Sequence, residues 1–183
     1  MRPLRADARD NRARILTAAE QVFSRSPAAS TEEVARLAGV GIGTVFRHFP
    51  TKLDLLEAVL ALRLERLRDR ARELAEHNDP GTAFFEFFTQ VVSEAASKLA
   101  IADALSEAGV AVSATAKNAG SGLREAFARL LEQAQKSGAV RSDAAAPEVY
   151  ALLIGASRGA TATELEPDVR DRMLAIIFDG LRP

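Results

Sequence analysis

Cysteine is absent from the 183 residues, which excludes a disulfide frame, a thiolate zinc site and a thiol nucleophile. Tryptophan is absent too, tyrosine occurs once, at Tyr150, and the two histidines, His48 and His77, stand far apart with no H-E-x-x-H spacing. That removes the zinc-protease pattern and most histidine-based triads, and no metal or cofactor is expected. No apolar run approaches the roughly 18 residues a membrane span needs. The N-terminus is charged every few positions and lacks the apolar stretch of a secretory signal. The expectation is therefore a cytoplasmic chain with no membrane partner. What the sequence has in abundance is alanine, at 36 positions, the residue that favours helix most.

The net charge of −1 conceals an asymmetry. Residues 1–52 hold nine Arg/Lys against five Asp/Glu, a balance of +4, and residues 53–183 hold fifteen against twenty, a balance of −5. A basic head on an acidic body fits a head that meets an anion such as nucleic acid; so small an excess is also compatible with ordinary scatter.

Apolar spacing is helical nearly throughout, with no period-two strand pattern, and predicts an all-α protein of about nine helices. The first covers about 7–24 and ends at Ser26-Pro27. Ser30-Thr31-Glu32-Glu33 fits a capping box, with the Ser30 hydroxyl taking the Glu33 amide and the Glu33 carboxylate returning to Ser30. A short helix follows with Val34, Leu37 and Ala38 inward, and Gly39 stops it. A second short helix runs from Ile42 to before Pro50. Thr51 caps a long helix, 52 to about 76, with the stripe Leu53, Leu56, Leu60, Leu64, Leu67, Ala71 and Leu74. His77-Asn78-Asp79-Pro80 is a break. One helix is expected over 82–107, broken structure or a short helix over 109–121, and a helix over 122–136 stopped by Gly138. Pro147 and Pro167 suit the first turns of helices over 146–161 and 167–181. The domains expected are a head at 1–52, a connecting long helix and break at 53–80, and a body at 81–183.

Residues 31–49 carry the chemistry. Two short helices joined by a glycine turn form a helix-turn-helix. Ala35 is small where the second helix crosses, and Gly39 can take the left-handed backbone of the turn. Val34, Val40, Val45 and Phe49 form the apolar wedge, and Gly41 stands where a serine would bond the free amides better. Ile42, Gly43, Thr44, Phe46 and Arg47 are left facing outward, as on a helix that enters a major groove. Two packed helices without a ligand fit the same spacing.

The run Ala38-Gly39-Val40-Gly41-Ile42-Gly43-Thr44-Val45-Phe46-Arg47-His48-Phe49-Pro50-Thr51-Lys52 resembles the DNA-binding signature of the TetR/AcrR family of bacterial transcriptional regulators, and the likeness extends over about residues 12–59. The body is similar to the SbtR-like subgroup, mainly through the tail Ala175 to Pro183. This resemblance implies a three-helix head with a helix-turn-helix, and a helical-bundle body that dimerises and holds a small effector. It implies that Thr44 and Lys52 bond phosphates, that His48 reaches the backbone or packs at the surface, and that Ile42, Gly43, Phe46 and Arg47 face the groove. Where the family usually has Ser and Tyr, this chain has Gly41 and Phe46, so one hydroxyl anchor is missing. Arg2, Arg5, Arg9, Arg12 and Arg14 could add DNA contacts or form a charged tail.

The resemblance also directs attention to two features of the body. Ala151, Gly155 and Gly159 form a small-residue stripe, and with Met173, Ile176, Ile177 and Leu181 they would make a homodimer seam; packing of both helices within their own subunit fits the same spacing. Phe84, Phe85, Phe87 and Phe88 crowd five positions, and Phe84 and Phe88 could wall a pocket with Phe127, Leu131 and Tyr150. Such a pocket would take a mostly apolar small-molecule effector, with Tyr150, Thr89, Gln90 and Arg158 as candidate polar groups. The phenylalanines could equally be core. The expected function is a homodimeric, ligand-responsive regulator, most often a repressor in this family, acting on a palindromic double-stranded DNA operator. Two rival classes are an α-helical enzyme or lipid-binding bundle, with Asp103, Glu107, Glu164 and Glu166 as carboxylates, and a non-specific nucleoid binder. The near-neutral charge opposes the last, and nothing but their being carboxylates supports the first.

Overall fold

A computed structural model describes residues 4–109 and 113–183. Among them are nine α-helices and no strand: α1 Leu4–Arg25, α2 Thr31–Ala38, α3 Ile42–His48, α4 Lys52–His77, α5 Pro80–Ser93, α6 Ala95–Glu107, α7 Ala114–Lys136, α8 Ala146–Ala162 and α9 Pro167–Leu181. No helix among the described residues is long and apolar enough to cross a membrane. The chain forms two compact units, one of residues 1–63 with 97–117 and the other of 64–96 with 118–183. Residues 97–117 thus join the N-terminal unit, although they lie far along the chain.

Local chemistry fixes the starts of several helices. The Ser30 hydroxyl accepts the Glu33 amide at 3.2 Å. The expected return bond from Glu33 is not formed among the described residues. Glu32 instead turns back, and its own backbone N–H, then the Ser30 hydroxyl, hold its carboxyl below the usual range. Thr51 and Asp54 cap α4 reciprocally, Thr51 N–H to Asp54 at 2.8 Å and Asp54 N–H to the Thr51 hydroxyl at 3.1 Å. The Asp79 carboxylate caps α5 through the Thr82 N–H at 3.0 Å and hydroxyl at 3.1 Å. The Thr82 amide, ahead of its hydroxyl, keeps the Asp79 carboxyl low. The Glu148 carboxylate takes the Ala145 N–H at 2.9 Å where α8 begins, with Pro147 in its first turn.

Three expectations are corrected. The helix expected over 82–107 is two, because Glu94 leaves helical geometry at φ −95°, ψ 7°, with neither glycine nor proline to announce it. The segment 109–121 is mostly helix: α7 starts at Ala114, where the Ser113 hydroxyl takes the Ala116 amide at 3.3 Å and the Glu57 carboxylate takes the Ser113 N–H. Residues 110–112 lie outside the described residues. Leu37, expected inward, is 50% exposed.

In the first unit α1 packs on α2 and α3, and Ile15, Phe23, Val34 and Val45 are fully or nearly fully buried. In the second, one apolar cluster joins Leu67 and Leu74 of α4, Phe84, Phe87 and Phe88 of α5, Phe127 and Leu130 of α7, Leu153 of α8 and Leu174 of α9. Rings interlock through it, Phe84 to Phe127 at 5.8 Å and Phe127 to Tyr150 at 5.7 Å between centroids.

Candidate nucleic-acid interface and effector cleft

The candidate nucleic-acid surface is built from α3. Its anchor is Val45, fully buried, with Phe49 closing the core behind it. Burying that side of a seven-residue helix turns the opposite side outward. Ile42 is 36% and Phe46 42% exposed. Gly43 and Arg47 are exposed beside them, while Thr44 and His48 are half-buried on the flank. A Cβ at Gly43 would meet no atom within 4 Å. The half-buried Lys52 places its Nζ 5.8 Å from the Phe23 ring centre at the start of α4.

The angle between α2 and α3 depends on Gly39, which holds φ +64°, a conformation costly for a side-chain-bearing residue. Its neighbours are tied from a distance. The Arg14 guanidinium of α1 donates to the Ala38 carbonyl at 2.7 and 3.1 Å and to the Gly39 carbonyl at 2.8 Å. These are the oxygens that a helix end leaves without partners. Arg14 is thereby committed to capping α2 and is no part of a frayed charged tail. Arg12 lies 5.2 Å from the Phe49 ring centre, Arg9 is exposed, and Arg2 and the side chain of Arg5 lie outside the described residues. Replacing Arg14 by methionine keeps the apolar stem and removes the cap. We expect a loss of about 1–3 kcal/mol, read as a lower melting temperature without DNA; a side chain serving only DNA would leave the melting temperature unchanged.

In the second unit the five residues expected to wall a pocket separate. Phe84, Phe88, Phe127 and Leu131 are closed in the core, at 1% exposure or less. The buried Phe127 and the half-buried Tyr150 also border a cleft of about 630 Å³ between α7 and the start of α8, completed by Ala128, Pro147, Arg124 and Glu125. Its walls are mainly apolar. Of the expected polar groups, Tyr150 reaches the cleft, whereas the Thr89 hydroxyl bonds the Phe85 carbonyl at 2.9 Å and the Gln90 amide bonds Glu94 at 3.1 Å. Arg158 is exposed and does not border the cleft. Arg124 was not foreseeable from spacing, since only the packing of α8 on α7 brings it to Tyr150.

The small-residue stripe of α8 is open. Ala151, Gly155 and Gly159 are exposed, and a Cβ at either glycine would meet nothing within 4 Å. Beside them Leu152 is 47% exposed, and on α9 Ile176 is 74% exposed. Leu181 does not share this face: it is buried in its own chain, with Met173 and Ile177 half-buried against the same core. In the first unit Asp103 is half-buried and Glu107 exposed on α6; in the second Glu164 and Glu166 are exposed at the α8–α9 connection.

A family model described as bacterial regulatory proteins, tetR family, matches residues 15–59. A second, described as the C-terminal domain of SbtR-like transcriptional regulators, matches residues 79–183. The crystal structure of a TetR transcription regulatory protein from Mycobacterium vanbaalenii is 38% identical, with a TM-score of 0.79 over 99% of this chain and all of that one. A TetR regulator from Streptomyces coelicolor is 32% identical, with a TM-score of 0.77 over 94% of this chain and 98% of that chain. The HTH-type transcriptional regulator UidR of Escherichia coli is 28% identical over 98% of this chain and 93% of its own.

Proposed function

The chain belongs to the TetR family of helix-turn-helix transcriptional regulators, and from that premise we propose that it is a homodimeric repressor released from a palindromic operator by a small, mostly apolar effector. Membership points away from catalysis. The observation that carries the DNA-binding part is the α3 surface, where Ile42 and Phe46 stand exposed on a helix whose other side is locked into the core. The two positions are four apart and share a face. Apolar groups there suit thymine methyls, which the major groove alone displays, while Arg47 reaches a guanine or a phosphate. Thr44, His48 and Lys52 flank that face, where backbone phosphates would pass. Gly43 leaves room for the sugar-phosphate edge to approach.

Two copies related by a two-fold axis would place two α3 helices in successive major grooves, which is why a palindrome is the expected site. The exposed faces of α8 and α9, with Ala151, Gly155, Gly159 and Ile176, are the proposed seam. The α7–α8 cleft is the proposed effector site, with Phe127 and Tyr150 at its border and Phe84, Phe88 and Leu131 as its rigid backing. An effector acts by favouring dimers whose heads no longer match the half-site spacing.

Binding to a genomic palindrome and to its single-base variants tests the readout. Phe46→Ala is expected to cost about 1–3 kcal/mol on the operator and to relax preference at a thymine. Lys52→Ala should weaken all sequences alike and lower the salt slope by about one. If Phe46→Ala binds the operator and every variant as the parent does, α3 does not read bases through this ring.

A further inference from the structure

Arg124 of α7 combines a ring contact with a place at the border of the α7–α8 cleft. Its guanidinium carbon lies 5.2 Å from the Tyr150 ring centre, and among the described residues no carboxylate or carbonyl accepts its N–H groups. Several arginines of this unit are occupied, Arg70 by Glu73 and Glu86, Arg141 by Asp143, Arg172 by Asp168 and Arg182 by Asp179, and Arg129 of the same helix, exposed and without a carboxylate among the described residues, does not border this cleft. Arg124 is therefore oriented by a ring and left with its donor edge uncommitted, at the border of a cleft of about 630 Å³. That volume is in the range of small-molecule sites.

A planar guanidinium offers paired N–H groups that match a carboxylate with two parallel bonds. Holding it against an aromatic face reduces the freedom lost when those bonds form. The surrounding wall of Ala128, Ala146, Pro147 and the Tyr150 ring is apolar and suits a flat hydrocarbon body. Glu125 also borders the cleft, and its negative charge opposes a ligand with more than one anionic group. Resting on the assignment of this cleft as the effector site, we propose that the ligand class is an aromatic monocarboxylate, its ring in the α7–α8 cleft and its carboxylate on Arg124.

The test is calorimetric titration of the full chain with 2-naphthoate, 2-naphthamide and 2-naphthylamine, three compounds of nearly equal shape. We expect 2-naphthoate to bind at least tenfold more tightly than the other two. Arg124→Met should erase that preference and Arg124→Lys should keep part of it, both variants holding the parent's circular dichroism because the side chain is exposed. Equal binding of the three compounds, no binding of any at millimolar concentration, or an undiminished preference in Arg124→Met would overturn the proposal. Operator affinity measured in parallel separates it from the regulatory reading. Naphthoate bound through Arg124 without effect on operator affinity leaves this site standing and removes its regulatory role. Operator release by neutral compounds alone, with no preference for the carboxylate, does the reverse.

Discussion

Gly155→Leu combined with Ile176→Asp is expected to yield folded monomers whose operator affinity is lower by about 10²–10⁴-fold, the loss that follows when two linked contacts become independent. The choice of positions follows from exposure. A Cβ at Gly155 meets nothing within 4 Å of its own chain, and leucine is a better helix former than glycine. Ile176 is 74% exposed, so an aspartate there is solvated in the monomer. Neither change strains the subunit, and both place bulk or charge where a second helix pair would need to approach. Ile177, its neighbour in the expected seam, is unsuitable because it packs against the core, and an aspartate there would unfold the unit. Analytical ultracentrifugation and operator titration check the outcome. A folded double variant that sediments as a dimer would move the seam away from α8 and α9.

Phe88→Ala is expected to destabilise the second unit by about 3–5 kcal/mol, the usual cost of emptying a buried aromatic site. The ring is fully buried, meets Phe178 edge-on at 5.5 Å and Phe84 at 6.2 Å, and belongs to the same cluster as Leu174 and Leu181 of α9. For a chain of this length the melting temperature should fall by roughly 6–20 °C. Phe85→Ala, at a half-buried position, should cost less. Binding of 2-naphthoate below the melting range should survive, because the Phe88 ring does not border the α7–α8 cleft. A variant that melts like the parent and gains affinity for larger apolar compounds would show that Phe88 lines usable space.

Much of the helix-turn-helix was legible because its determinants are short-range. A serine three residues before the amide it caps, a glycine where the chain must turn left-handed, and apolar residues at helical spacing act within one or two turns. Ser30, Gly39, Val34 and Val45 therefore have the places in the fold that their spacing implies, and so does the outward face of Ile42 and Phe46. The proline starts of α8 and α9 were legible for the same reason, since Pro147 and Pro167 bring a preset φ and lack an N–H that the first turn does not need.

Tertiary structure decided what periodicity leaves open, namely which neighbour a face meets. The sequence alone established an all-α chain, a helix-turn-helix over 31–49 and an apolar outward pair on its second helix. It could not assign Arg14 to the carbonyls of Ala38 and Gly39, 24 and 25 positions away, because such a bond exists only once α1 lies across α2. Leu37 satisfies an inward period and yet is half open to solvent, at the edge of a shallow cleft beside Ala13 and Thr17 of α1. Phe84, Phe88 and Phe127 share the aromatic character of Tyr150, but those three rings are enclosed in the core and Tyr150 stays half-buried at the border of the α7–α8 cleft. Ile176 and Ile177 are adjacent in sequence and equal in hydropathy. The 100° that one residue turns a helix sends the first to solvent and the second to the core, and only the packing of α9 fixes which way round that falls.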